Sequence, residues 1–266
     1  MDSGFPQIRR FRIDLAYDGR AFAGWQSQTG GDAVQDILEN AIRKHCPAIG
    51  RVHGSGRTDA GVSAEQQVAH FDVPPGCRMN GDEWQRALNS QLGPTVRVMR
   101  CGEIDPAFHA RFSALEKAYR YDIATGAVLP PLRAGLAWHQ RGFDRVEELK
   151  AVLGLYLGTH DFRAFSANRK DGKDATRSTI RTILTAEVTS TGPESLSLRV
   201  SGRGFLYKMV RFLVGSAVYC ARGKIDRDQI RNLLSGDHRE AKAPHCAPAD
   251  GLSLVEVRYP EAFEIF

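Results

Sequence analysis

Within the first hundred residues the apolar positions recur every second residue, then at helical spacing, then every second residue again. This switching restricts the chain to a small set of folds. Arg10 to Tyr17 alternates polar and apolar side chains and is closed by Asp18-Gly19, which predicts a half-buried strand running into a turn. Val34, Ile37, Leu38, Ala41 and Ile42 then fall at helical spacing between Asp32 and Cys46, with Asp32 placed as the N-cap and Pro47 beyond the end. Arg51-Val52-His53 leads into a glycine-rich stretch, after which Gln67 to Val73 is again strand-like and is stopped by Pro74-Pro75-Gly76. A second helix is predicted from Gly81 to Leu92 and a strand over Val96 to Arg100. The order β, α, β, β, α, β is that of a split βαβ, or ferredoxin-like, unit, an α+β arrangement with helices on one face of an antiparallel sheet.

The segment Pro106 to Ser113 is irregular, aromatic and basic, and we place a domain boundary near Phe112, dividing the chain into residues 1–112 and 113–266. Ala118 to Ala124 alternates strictly, as Phe11 to Tyr17 does. Helical patterns follow at Val146 to Leu157 and Phe205 to Ala221, with strands at Thr179 to Thr189 and Leu196 to Val200 and a closing strand over Leu252 to Tyr259. The order of elements thus recurs without sequence identity between the halves. Residues 163–177, which include Arg163, Phe165, Arg169 and Lys170, are polar and basic. They read either as a surface loop or as a basic arm that closes over a polyanion, with Phe165 interleaved among the cations.

One carboxylate has an unusual setting. In Gly54-Ser55-Gly56-Arg57-Thr58-Asp59-Ala60-Gly61-Val62 an aspartate lies among three glycines, between two extended runs and two residues after an arginine. Glycines permit a tight loop and close approach to a ligand, and a nearby cation favours the ionised acid, so Asp59 suits a nucleophile or base. Ordinary turn chemistry of Thr-Asp beside glycine accounts for the same nine residues. In the preceding loop Trp25 offers a ring that either stacks on a ligand or packs. Arg211 falls within an apolar helical pattern with Val210 and Leu213, where a charge directed toward a core requires a partner and one on the opposite face requires only water.

Composition narrows the partner. The net charge is +5, and Arg outnumbers Lys 28 to 8. Guanidinium groups bind phosphate in a bidentate fashion and stack on bases, which suits a nucleic acid better than a membrane surface. No apolar run is long enough to span a bilayer, and a cytoplasmic protein is expected. The five cysteines are scattered, with neither CxxC nor paired Cys/His spacing, so neither a disulfide framework nor a metal site is indicated.

Four ordered stretches carry a family resemblance: Gly56 to Val62, Lys117-Ala118-Tyr119-Arg120-Tyr121, Gly204 to Arg211, and Ala247 to Leu254. Together they resemble the bacterial tRNA pseudouridine synthases that modify uridines 38 to 40 of the anticodon stem-loop. Supporting similarity at Tyr17-Asp18-Gly19, Gly24-Trp25-Gln26, Phe108 to Phe112 and His160-Asp161-Phe162 extends it over almost the whole chain. The resemblance implies two ferredoxin-like halves joined in one extended, mixed, mainly antiparallel sheet flanked by helices, with the active-site cleft between the halves. It implies a homodimer acting on tRNA without cofactor or metal. Asp59 matches the catalytic aspartate of that family, Tyr119 the tyrosine that stacks on the target base, and Arg57 the residue that intrudes where the uridine is flipped out. Arg211 matches the arginine paired with the catalytic aspartate, and Leu252 is placed to pack on the base. Ser63 and Ser253 depart from the His and Tyr usual in the family, which bears on local contacts and fine substrate preference.

Overall fold

A computed structural model describes residues 8–168, 178–236 and 241–266, and among them ten strands and five α-helices form an α+β protein. The chain divides into two compact units, Met1–Leu115 with Leu254–Phe266, and Glu116–Ser253.

The first unit contains β1 (Arg9–Tyr17), α1 (Val34–Arg43), β2 (His53–Gly54), β3 (Ser63–Val73), α2 (Gly81–Gln91) and β4 (Val96–Ile104). Strand β1 lies between β4 and β3, antiparallel to both, and β2 pairs with β3, giving the order β4-β1-β3-β2 expected of a ferredoxin-like unit. Register places Phe11 opposite Phe71 and Ile13 opposite Ala69. On this face the rings of Phe11, Phe71 and Trp84 meet at centroid distances of 5.2 to 6.3 Å, and all three are fully buried. The boundaries of α2 follow from a reciprocal capping box between Asn80 and Glu83. Helix α1 is different: its N-cap is Ala33, with no side-chain hydrogen bond, so Asp32 does not cap it.

Strand β1 is also not half-buried. Arg12 and Asp14, on the face opposite Phe11 and Ile13, are only 1% and 2% exposed. The C-terminal residues cover them, with Arg12 donating to the Phe263 carbonyl at 2.8 Å and its guanidinium 5.4 Å from the Phe266 ring centroid. Two arginines neutralise the buried carboxylate: Arg12 Nε lies 2.9 Å and Arg100 Nη2 2.8 Å from Asp14 oxygens.

The second unit contains β5 (Glu116–Ala124), β6 (Trp138–His139), α3 (Val146–Gly154), β7 (Gly158–Asp161), β8 (Ile180–Gly192), β9 (Ser195–Gly202), α4 (Met209–Ala221), α5 (Arg227–Ser235) and the start of β10 (Leu252–Arg258). Strands β5, β9, β8 and β7 pair antiparallel in that order, and the short β6 adds a parallel neighbour to β5, which makes the sheet mixed. Helix α4 is apolar around nearly its whole circumference and is buried accordingly, with Tyr156 donating to its Leu213 carbonyl at 3.2 Å. It begins at Met209 rather than at Phe205. Lys208, with φ of 60°, is left-handed and breaks the helical pattern at its N-terminus. The recurring β, α, β, β, α, β order is recognisable, with β6, β7 and α5 added.

Candidate active site

Asp59 occupies the loop that joins β2 to β3 in the first unit. A buried polar frame holds this loop. Ser55 N donates to the Val68 carbonyl at 2.7 Å, and Ser55 Oγ donates to Gln67 Oε1 at 2.7 Å. Gln67 Nε2 in turn donates to the Gly56 carbonyl at 3.0 Å. The Thr58 and Tyr17 hydroxyls are 2.8 Å apart, and Gln67 Nε2 reaches Tyr17 Oη at 3.4 Å. Burial pushes the Tyr17 phenol up to about 12, against the lowering effect of its bonds to Thr58 and Gln67, so it remains a neutral hydrogen-bonding group. Every residue from Ser55 to Thr58 is thus anchored or adjacent to an anchor. Such a frame limits the excursions of the carboxylate that follows it.

A second loop presses on the first. Trp25 N donates to the Thr58 carbonyl at 3.1 Å, and Gly24 has φ of 98°. A Cβ on Gly24 would lie 2.7 Å from the Thr58 carbonyl oxygen and 3.1 Å from the Asp59 carbonyl carbon, so only glycine lets the two backbones come this close. Trp25 is buried beside Tyr17, with ring centroids 6.4 Å apart, which settles its role as packing. Of the three glycines in the Asp59 stretch only Gly61, at φ of 82°, uses the left-handed region. Asp59 is half-buried and Arg57 exposed. The small hydroxyl of Ser63, where the related family usually has His, accepts a 3.0 Å bond from Gly19 N and joins the same two loops.

Tyr119, Arg211 and Leu252 belong to the second unit. Tyr119 on β5 is 7% exposed, its ring edge-to-face with Phe205 at 5.0 Å. Arg211 lies in the first turn of α4, where its Nε donates to the Ala247 carbonyl at 2.8 Å while Ala247 N donates to the Arg211 carbonyl at 3.0 Å. This reciprocal latch fixes the arginine against the segment that precedes β10. Tyr121 donates to the next carbonyl, Pro248, at 2.9 Å. Burial pushes the Tyr121 phenol up, opposed by the field of Arg211. The segment is seated further by His245, whose ring is sandwiched between Tyr219 at 4.5 Å and Trp138 at 5.5 Å. Leu252 is buried where β10 starts.

The basic segment is only partly described. Arg163 is exposed beside Asp161, with 3.8 Å between the charged atoms. Phe165 is fully buried, its ring 5.5 Å from Tyr156 and 6.1 Å from Phe162, so it is a core residue rather than one interleaved with cations. Arg169 and Lys170 lie outside the described residues. Among the described residues no three His, Cys, Asp or Glu side chains are grouped to hold a metal ion, and no helix is long and apolar enough to cross a membrane. The Tyr17, Ser55 and Gln67 frame and the His245 clamp are not apparent from local pattern. The signal that could have pointed to the frame is a pair of polar residues on either side of Asp59, Ser55 within the glycine-rich stretch and Gln67 in the strand after it.

The family profile described as tRNA pseudouridine synthase matches residues 15–113 and 153–260. The chain is 46% identical over 256 residues to tRNA pseudouridine synthase A of Akkermansia muciniphila, covering 96% of each chain. It is 43% identical over 260 residues to the protein of that name from Solidesulfovibrio magneticus, covering 95% of this chain and 92% of the other. With the Bacillus subtilis protein of that name the identity is 36% over 252 residues, covering 94% and 99% respectively.

Proposed function

The chain belongs to the tRNA pseudouridine synthase family and is therefore an isomerase of tRNA uridine, and from that premise we propose that it acts at positions 38, 39 or 40 of the anticodon stem-loop, with Asp59 as its reacting group. The observation that carries this reading is the frame beneath Asp59: Tyr17, Ser55, Thr58 and Gln67 hold a loop that ends on a half-buried carboxylate. Rigid presentation of one acid is what this reaction requires. The bond from uracil N1 to ribose C1′ breaks, the uracil turns in place, C5 bonds to C1′, and the C5 proton is lost while N1, freed from the ribose, gains one. Nothing is oxidised or reduced, so no redox cofactor takes part. Asp59 either attacks C1′ or removes a ribose proton.

A uridine in a stem must first leave the stack, at a cost of roughly a few kcal/mol. The exposed Arg57 fills the gap with a planar cation. Tyr119 supplies a face for the extruded base and takes part in removing the C5 proton, its hydroxyl passing on its own proton as it takes up the new one. Leu252 packs on the base, and Arg211 keeps Asp59 ionised. The latch to Ala247 supports the last role, because it fixes the guanidinium in one orientation. Arg163, Arg169 and Lys170 contribute to backbone binding. The protein works as a cytoplasmic homodimer on tRNA.

The test is incubation with an unmodified tRNA transcript in the absence of metal, followed by mapping of pseudouridine. Wild-type protein yields product at one or more of the three positions, and Asp59→Asn yields none while still binding the tRNA. Equal product from both would sink the assignment of Asp59. Arg57→Ala loses activity on a paired target and recovers on a substrate whose target uridine is unpaired.

A further inference from the structure

The first unit presents a second feature suited to RNA, apart from the Asp59 loop. Phe112, between β4 and β5, is 75% exposed. A single exposed apolar side chain is ordinary, but this one is held in place. Its ring lies on that of His109, with centroids 4.3 Å apart and planes inclined by 36°, and the Arg111 guanidinium lies 5.6 Å from its centroid.

His109 is itself fixed. Its Nδ1 accepts the backbone N–H groups of Arg111 and Phe112 at 3.1 and 3.4 Å, and its own backbone N–H donates to Ser113 Oγ at 3.0 Å. An Nδ1 that accepts leaves the ring proton on Nε2, so the imidazole is neutral. Burial, followed by His53, Arg10 and Arg111, lowers its pKa and keeps it so at neutral pH. Two further rings lie beneath. His70 is 4.6 Å and His53 5.4 Å from His109, and His53 and His70 stack on each other at 5.1 Å. His70 accepts Ala110 N at 3.1 Å, and Tyr259 donates to the Ala110 carbonyl at 2.6 Å, so the turn that carries Phe112 is pinned from both sides.

The charges around this stack favour an anion. Asp72, whose charge acts on His70, is taken up by a bidentate pair with Arg10. Arg111 is exposed and has no carboxylate partner among the described residues. A supported aromatic face beside an available guanidinium matches an unpaired nucleotide, whose base stacks and whose phosphate pairs. His53 belongs to β2, the strand that runs directly into the Asp59 loop, so this face and the reacting loop share one framework.

We propose that Phe112, propped on His109 and flanked by Arg111, is a stacking site for an unpaired base of the tRNA substrate, with Arg111 on the adjoining phosphate. The proposal rests on the reading that the substrate is tRNA.

The experiment compares wild type, Phe112→Ala, Phe112→Trp and Arg111→Gln on one unmodified tRNA transcript. It measures Kd by filter binding at several salt concentrations, and kcat and KM by pseudouridine formation. Phe112→Ala raises Kd and KM about tenfold with kcat within about twofold, and Phe112→Trp restores both. Arg111→Gln weakens binding and reduces the slope of log Kd against log salt by about 0.7 to 0.9. Because Phe112 is exposed, its removal leaves thermal unfolding unchanged, which separates a binding loss from a folding loss. Unchanged Kd and KM in Phe112→Ala, or a loss confined to kcat, overturns the proposal. So does a shift of the RNA-free protein toward a smaller species in sedimentation, which would show Phe112 facing a second copy. If wild type binds tRNA but forms no pseudouridine, the enzymatic reading fails, and the Kd comparison still decides the stacking site.

Discussion

Replacing Gly24 by Ala tests whether the position of Asp59 is set by the loop pressed against it. At φ of 98° any side chain carries backbone strain of about 1–2 kcal/mol. The new Cβ would also sit 2.7 Å from the Thr58 carbonyl oxygen, so that carbonyl must withdraw by several tenths of an ångström. Withdrawal weakens the 3.1 Å bond that Trp25 N donates to it, a further loss of about 1 kcal/mol. The total is about 2–3 kcal/mol in urea unfolding. The Asp59 carbonyl carbon is 3.1 Å from the same Cβ and moves with Thr58. Misplacing a reacting group by about 1 Å can cost about 100-fold in rate, so single-turnover pseudouridine formation should fall by about 10- to 100-fold. Gly31 supplies the control, because it has φ of 71° but nothing within 4 Å of where a methyl group would stand. Gly31→Ala should lose only about 1–2 kcal/mol and keep its turnover. Wild-type turnover in Gly24→Ala, or equal rate losses in the two variants, would refute the reasoning.

Other substitutions probe the frame and the buried charges. Tyr17→Phe removes the hydroxyl shared by Thr58 and Gln67, with an expected loss of about 1–2 kcal/mol and a lower kcat at little-changed KM, measured by denaturation and steady-state kinetics. Asp14→Asn leaves the buried Arg12 with only the half-exposed Glu264 carboxylate, 3.6 Å away, as counter-charge and should cost about 3 kcal/mol, whereas replacing Arg12 and Asp14 together by apolar residues of similar volume should cost much less. His70 falls from its ordinary 6.5 to about 3, mainly through burial and then through Arg10, His109 and His53, so the folded protein holds it neutral. Unfolding therefore takes up a proton between those values. The stabilisation is complete above about 6.5 and is lost as pH falls toward 3, at up to about 1.4 kcal/mol per pH unit. His70→Asn, which retains an acceptor for Ala110 N, should flatten the pH dependence of unfolding between about 6.5 and about 4.

Periodicity made most of the fold legible, because a repeat of two or of 3.6 is imposed by the backbone wherever one side of an element is buried. It located β1, α1, β3, α2 and β4, and in the second unit β5, α3, β8, β9 and β10. It did not reveal β6, which is two residues long, nor α5, where only Ile230 and Leu234 are buried, while the equally short β2 was legible as the extended run Arg51-Val52-His53 ahead of the glycines. It also extended α4 back to Phe205, since apolar spacing does not register that Lys208 turns left-handed. Asp59 stood out through its glycines and neighbouring arginine. The hydroxyl of Tyr17 beneath it did not, because its partner Thr58 is 41 residues away and no local pattern links them.

Two phenylalanines show where such reading ends. Phe112 and Phe165 each sit close to arginine in an irregular segment, and sequence offers no ground for separating them. In the folded chain Phe165 is fully buried against Tyr156, while Phe112 is 75% exposed with its ring against His109. Arg12 and Asp14 make the same point in reverse, as polar positions of an alternating strand that become core once residues 260–266 cover them. The order of the elements and the placing of one carboxylate among the glycines of the Asp59 loop depend on neighbours in the chain, and both could be read from residue order alone. Which faces are dry depends on the distant segment that comes to lie on them, and that is settled only when the chain has folded.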